Sequence, residues 1–439
     1  MLVDGISEGA VDTFTFDNLQ KNHTIQVIFD TSGLGIYNMD QNKSYSYIQE
    51  AIDDAEDSDT IVVCPGIYYE NLEFAGKNIT VRSADPSNPD IVAATIIDGG
   101  MSGSVVRFVE DETTFVEDTS TLSGFTIQNG DASHGGGIYV SESDPTITKN
   151  NITGNTASQS GGGIFAHYSR PVITDNTITG NKADYAGGGL YIQDSNATIT
   201  GNIIHLNEAT NYGGGLDVGE CSPTITGNTI TDNKAGEEGG GINIGISSLT
   251  LTDNTISGNT AKDGGGIAIV SNAKPTINKN KIEENIATDN GGGIYIENYS
   301  DPPISKNTIK YNKAKSGGGI HIEDHSDPDI TENTIEYNEA ENGGGGICLE
   351  ESSPTITNNT LRENRAHHNG GGIRVSTDSE PQPTTTRPDG WGTGRENIPS
   401  GSPLNPAEGV EYTIAGNKFL GNEHGDPFNY TTGAHVFFY

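Results

Sequence analysis

Gly135-Gly-Gly-Ile-Tyr-Val140, then Pro145-Thr-Ile-Thr-Lys-Asn-Asn-Ile-Thr-Gly-Asn-Thr-Ala157, is one turn of a pattern that returns along most of the chain. A glycine tract closed by Ile or Leu occurs ten times, its aliphatic residue at 138, 164, 190, 216, 242, 267, 294, 320, 347 and 373. Within each unit apolar and polar residues alternate in short runs, the period of two that a half-buried strand requires. Three such runs per unit, with no helical run between them, predict three short strands joined by bends. A unit this small cannot bury its own apolar face, so equivalent positions must stack on the next coil. Ile147, Ile173, Ile199 and Ile225 then begin one inward ladder, and Ile152, Ile178, Ile204 and Ile230 another.

Stacking also gives the polar positions a meaning. Asparagine recurs once per coil in two columns, from Asn150 to Asn359 and from Asn155 to Asn364. Asparagine accepts bend conformations and can hydrogen-bond its equivalents above and below, so both columns are expected to be ladders. The glycines are expected at a corner where the backbone bends sharply and coils approach closely. At about 4.8 Å per coil, ten coils predict a rod of roughly 48 Å.

These repeats resemble the coils of right-handed parallel β-helix proteins of the pectin-lyase-like superfamily. The Gly-Gly-Gly-Ile and Asn-x-Ile-x-x-Asn signatures look most like polymorphic outer-membrane and other cell-surface β-helix proteins. The resemblance covers roughly residues 44–439 and implies an all-β, right-handed, single-stranded parallel β-helix, a solenoid of about 26 residues per coil. A capping helix fits its start, because Ile48, Ala51, Ile52 and Ala55 fall on one helical face. On this reading residues 1–31 are the tail of a small β-sandwich module or a linker, and 32–130 are the cap and irregular first coils. Residues 131–375 are the ten regular coils, 376–410 a surface loop insertion around Trp391, and 411–439 a final coil and C-terminal strand. Cys64, Cys221 and Cys348 fall coils apart, too far for a disulfide.

Asp and Glu total 60 against 23 Lys and Arg, a formal charge of -37. That balance argues against a sequence-independent grip on nucleic acid, which needs a basic face. No apolar run is long enough for a membrane helix, so no membrane insertion is expected in this segment. The opening residues lack a signal peptide's basic start and apolar run, so a removed signal or a longer parent chain is expected. The expected location is extracellular or at the cell surface, and the expected partners are glycans or cell-surface and matrix components. End-to-end self-association of rods is a further expectation.

On a parallel solenoid, outward residues at one register form a vertical column with neighbours about 5 Å apart. The first outward column after the glycines reads Tyr139, Phe165, Tyr191, Asp217, Asn243, Ala268, Tyr295, His321, Cys348 and Arg374. The next outward column is expected to pass through His167, Gly245, Ser271, Glu297, Glu323 and Glu350. Two clusters follow. Glu297, Glu323 and Glu350, with His321 and Arg374 alongside, could supply acid and base for glycoside chemistry or bind Ca²⁺; no other cofactor is expected. Tyr139, Phe165 and Tyr191, beside His167 and Asp217, could stack on sugar rings.

The regular coils and the lack of a paired-Asp or Arg-rich lyase signature favour a structural, adhesive or carbohydrate-binding scaffold, part of a larger protein. The alternative is a polysaccharide-active enzyme (lyase, hydrolase or epimerase) using an acidic column. A minor alternative is ice binding through Thr-x-Thr pairs such as Thr146/Thr148, a ladder that Val172, Asn278, Pro303 and Asp329 interrupt.

Overall fold

The computed structural model describes residues 35–109, 119–376 and 413–426, with the strand backbones Leu2–Val3, Ile6–Ser7, Ile25–Gln26, Asn429–Tyr430 and Val436–Phe438. Most of the segment read as a β-sandwich tail, and nearly all of the 376–410 insertion, lie outside the described residues. The three N-terminal strands pair antiparallel with one another.

The coils stack into a parallel β-solenoid with four lengthwise sheets, where three were expected. One gathers the Pro-Thr-Ile-Thr strands (Thr146–Thr148, Val172–Thr174), a second the Asn-x-Ile strands (Asn151–Thr153, Thr177–Thr179), and a third the post-glycine strands (Ile138–Ser141, Ile164–His167). The fourth consists of pieces as short as Lys182–Ala183 and Glu208–Ala209. Two residues are too few to show an alternation, which is why this sheet is invisible in the periodicity. Its alanines, such as Ala183 and Ala209, are buried strand residues.

Register runs coil to coil without slippage through the ladders: Ile147 pairs with Ile173, Ile173 with Ile199 and Ile199 with Ile225. A central coil buries Leu216, Val218, Ile225 and Ile230 completely. Each such side chain stabilises the fold by about 2 kcal/mol through removal of apolar area from water.

Both asparagine ladders form. Asn207 donates from its backbone N–H and from Nδ2 to Asn233 Oδ1 at 3.0 Å, and Asn233 does the same to Asn259 Oδ1. The other Nδ2 proton reaches a backbone carbonyl of the previous coil, Ile204 O for Asn233 at 2.9 Å. Every side-chain donor and the bridging oxygen are thus used inside a dry corner. The ladders continue past the insertion, Asn359 to Asn417 and Asn364 to Asn422, so the coil carrying Thr413–Ala415 and Lys418–Leu420 sits directly on its predecessor.

The glycine corner is a concave turn. Gly213 has φ +58°, and a Cβ on Gly214 would stand 2.4–2.5 Å from the Lys234 and Gly240 backbones of the next coil. Only glycine fits a left-handed bend with this approach.

At the start, helix α1 (Ile48–Asp54) buries Ile48, Ala51 and Ile52 over the first coil. Tyr47 supplies no side-chain cap; Glu70 accepts from the Ile48 and Gln49 N–H groups instead. Ile36–Asn38 pairs antiparallel with Thr60–Val63 and covers that sheet edge. A second helix, α2 (Pro89–Ala94), escaped the sequence reading although Asn88 caps it and Pro89 opens it. At the other end Val436–Phe438 adds a parallel strand beside Ile373–Ser376. All three cysteines are free. Among the described residues no helix is long and apolar enough to cross a membrane.

Candidate functional site

The post-glycine column is not a flat outward face. Because the first glycine of each tract turns the chain inward, the residue before it comes down beside the column. The His134 and Phe165 rings lie 4.8 Å apart across this corner, and a Cβ on Gly161 would touch Phe165 Cβ at 2.8 Å. The result is a recess along the rod. One wall is the post-glycine column. The other is a pre-glycine column in which Ala186, Tyr212, Glu238 and Asp263 pair in succession. Phe165, Asp217, Asn243, Tyr295 and His321 are consequently 7% exposed or less, although none points into the main core.

The Tyr139, Phe165 and Tyr191 rings stack on one another, 5.4 Å between centroids at each step and within 8° of parallel. Arg107 lies 4.7 Å over Tyr139 and closes that end. The stack therefore uses up ring faces that the sequence reading offered to sugars. Tyr191 is the exception, since its far side borders a cleft. His167 lies apart from the cleft, its Nε2 3.6 Å from Asp194.

The cleft has a volume of about 390 Å³ and is lined by Tyr185, Tyr191, Tyr212, Asp217, Glu220, Glu238, Asn243, Val270 and Glu297, among others, with no Lys, Arg or His. Asp217 and Asn243 are neighbours in the column, Asn243 Nδ2 donating to Asp217 Oδ2 at 2.9 Å. Asn243 Oδ1 is buried and has no hydrogen-bond partner. Burial pushes the Asp217 carboxyl up to about 6, with the Asn243 hydrogen bond pulling the other way. Glu238 is pushed up to about 7, first by burial and then by the charges of Glu297, Asp263 and Asp217. Burial likewise lifts the Tyr191 hydroxyl to about 12 and raises Asp263, whose backbone bond from Asn290 opposes it.

Glu297 joins the cleft to the glutamate cluster through Tyr295. The Tyr295 hydroxyl lies within hydrogen-bond reach of both Glu297 Oε2, at 2.7 Å, and Glu323 Oε1. One hydroxyl proton cannot serve two carboxylates. Burial raises the Glu297 pKa, whereas Glu323, despite burial, is held below the usual range by its bonds to His321 and Tyr295. Farther along, Arg374 Nη1 meets Glu350 Oε1 at 3.0 Å and Cys348 Sγ at 3.5 Å.

The structure thus places the two sequence clusters in one recess but divides them differently. Asp217, Tyr191 and Glu297 line the cleft, while His321, Glu323, Glu350 and Arg374 form a second group beyond Tyr295. In the second column Val270, not Ser271, pairs with Gly245: the short coil loses its residue before the strand, leaving the strand in register. Tyr212, Glu238 and Asp263 were missed because they precede the glycines, outside the alternating runs. The available signal was their fixed position immediately before each tract.

The family described as Right handed beta helix region matches residues 101–282, 218–361 and 276–386, overlapping stretches that together cover well over half of the chain. No significant match is found among curated proteins or among solved structures.

Proposed function

Because the chain belongs to the right-handed β-helix family, we propose that it is a carbohydrate-binding scaffold, a rod that holds a glycan in the recess along its glycine corner, outside the cell or on its surface. The observation that carries this reading is the cleft itself. Tyr191 and Tyr212 offer aromatic surface, and Asn243 Oδ1 is a buried acceptor in need of a donor such as a sugar hydroxyl. Carboxyl groups line the cleft without a basic residue among them, which disfavours polyuronates and favours a neutral or amino-sugar chain.

A second reading, glycoside hydrolysis, is favoured by one observation. Glu238, held near 7, is partly protonated at neutral pH beside other carboxyl groups, the condition a general acid requires. Both readings are tested by incubating the chain with neutral, amino-sugar and acidic polysaccharides, measuring retention on each and analysing the mixtures by mass spectrometry. Retention on a neutral or amino-sugar glycan without new oligosaccharides supports the scaffold. New oligosaccharides that disappear in Glu238→Gln make it a hydrolase. Neither retention nor products on any glycan would sink both.

A further inference from the structure

Beyond Tyr295 the recess changes chemistry. His321, Glu323 and Glu350 each offer one donor atom, and the three atoms lie within 4.8 Å of one another. The geometry points to a binding site for a single first-row transition-metal dication, of which Zn²⁺ is the probe, held by His321, Glu323 and Glu350.

The arrangement favours such an ion on four grounds. First, His321 is 1% exposed, so burial fixes its ring, and its Nε2 faces the Glu323 carboxylate. Second, its Nε2 stands 3.2 Å from Glu323 Oε2, the separation of two adjacent ligands on an ion bound at about 2.0–2.1 Å. Glu350 completes the set with a contraction of up to about 1.5 Å, within the reach of a side-chain torsion. Third, the carboxylates are oriented from outside the group. Tyr295 bonds Glu323 Oε1, and Arg374 holds Glu350 Oε1 while its Oε2 makes no hydrogen bond. Partners of this kind hold ligands in place in metal sites. Fourth, Glu323 and Glu350 with Arg374 leave a net charge of −1, and both glutamates are partly exposed, so an ion can enter from solvent.

The donor set selects the class of metal. Ca²⁺ takes six to eight oxygens, whereas one imidazole with two carboxylates suits zinc and its neighbours. Glu297, expected from sequence to share a Ca²⁺ with the other two glutamates, is engaged with Tyr295 and lies outside the group. The assignment does not rest on the glycan reading of the cleft, although Tyr295 links the two groups.

The test uses the full chain freed of metal by a chelator and titrated calorimetrically with ZnCl₂ and, separately, CaCl₂. The expected result is one Zn²⁺ per chain, bound at least tenfold more tightly than Ca²⁺, with affinity falling tenfold or more in Glu323→Gln and in Glu350→Gln. Each variant is compared with the parent by circular dichroism and metal-free thermal midpoint. Should Glu323→Gln fail to fold, Glu350→Gln, whose carboxyl is the more exposed, carries the comparison. No stoichiometric Zn²⁺ uptake, uptake unchanged in the folded variants, or equal affinity for Ca²⁺ would overturn the assignment.

Discussion

Asn243 Nδ2 donates to Asp217 Oδ2 at 2.9 Å, and both side chains are 7% exposed, so a carboxyl group is held in a nearly dry recess by one neutral amide. Burial raises the Asp217 pKa from 3.8 to about 6. A raised folded-state value means that folding favours the protonated acid: this contribution is fully present below about pH 4 and is lost as pH rises through 6. At neutral pH the ionised group then costs about 3 kcal/mol. Asp217→Asn keeps an acceptor for Asn243 and removes the charge. It is expected to raise the denaturation midpoint at pH 8 and to match the parent near pH 4. An equal difference at both pH values would show that Asp217 is ionised without penalty.

Tyr191 and Tyr139 belong to the same ring stack but should differ in glycan binding. Tyr139 is covered by Arg107 on one face and Phe165 on the other, whereas Tyr191 borders the cleft. Tyr191→Ala is expected to weaken binding roughly tenfold, the worth of one aromatic contact, and Tyr139→Ala to leave it near the parent value. Affinity electrophoresis on the retained glycan reads the difference; equal loss in both variants would move binding away from the cleft.

Asn233→Ala cuts a ladder in mid-rod. It strips the Asn207 backbone N–H and Nδ2 of their shared acceptor and takes one donor from Ile204 O in a buried corner. At about 1–3 kcal/mol for each buried group left unsatisfied, a loss of about 3 kcal/mol or more is expected. Denaturant titration measures it, and hydrogen exchange should show the added opening concentrated in the coils of Asn207 and Asn259. Exchange spread evenly over the rod would contradict a local ladder role.

Gly214 and Gly227 should respond oppositely to substitution. A Cβ at Gly214 meets the backbone of the next coil, so Gly214→Ala is expected to prevent soluble folding or cost several kcal/mol. At Gly227, φ is +66° but nothing lies within 4 Å. Lys149, Asp175 and Asp253 already occupy the equivalent bend with φ near +55°. Gly227→Asn is therefore expected to shift the thermal midpoint by no more than the effect of about 1 kcal/mol.

The inward ladders, the asparagine columns and the post-glycine register could all be read from the chain. Each coil contacts chiefly its neighbours, so a period near 26 converts directly into vertical contact. Tyr139, Phe165 and Tyr191 were aligned correctly on that basis, as were Asp217 with Asn243 and His321 with Cys348. Val270 was misplaced because a deletion in a coil shows in the spacing without showing where the loss falls. The fourth sheet and α2 were missed because two residues carry no period and six carry little more than one helical turn and a half.

What the linear order of residues settled was therefore which side chains stand above one another. What it left open was which columns face each other across a coil, because that depends on the sense and angle of the backbone turn at the glycines. A left-handed conformation at Gly213 and its equivalents makes that corner concave. The turn sets Tyr212 and Glu238 beside Tyr191 and Asp217, restricts solvent around them and shifts their proton affinities. Burial is a property of that three-dimensional corner, and the chemistry of the recess follows from burial.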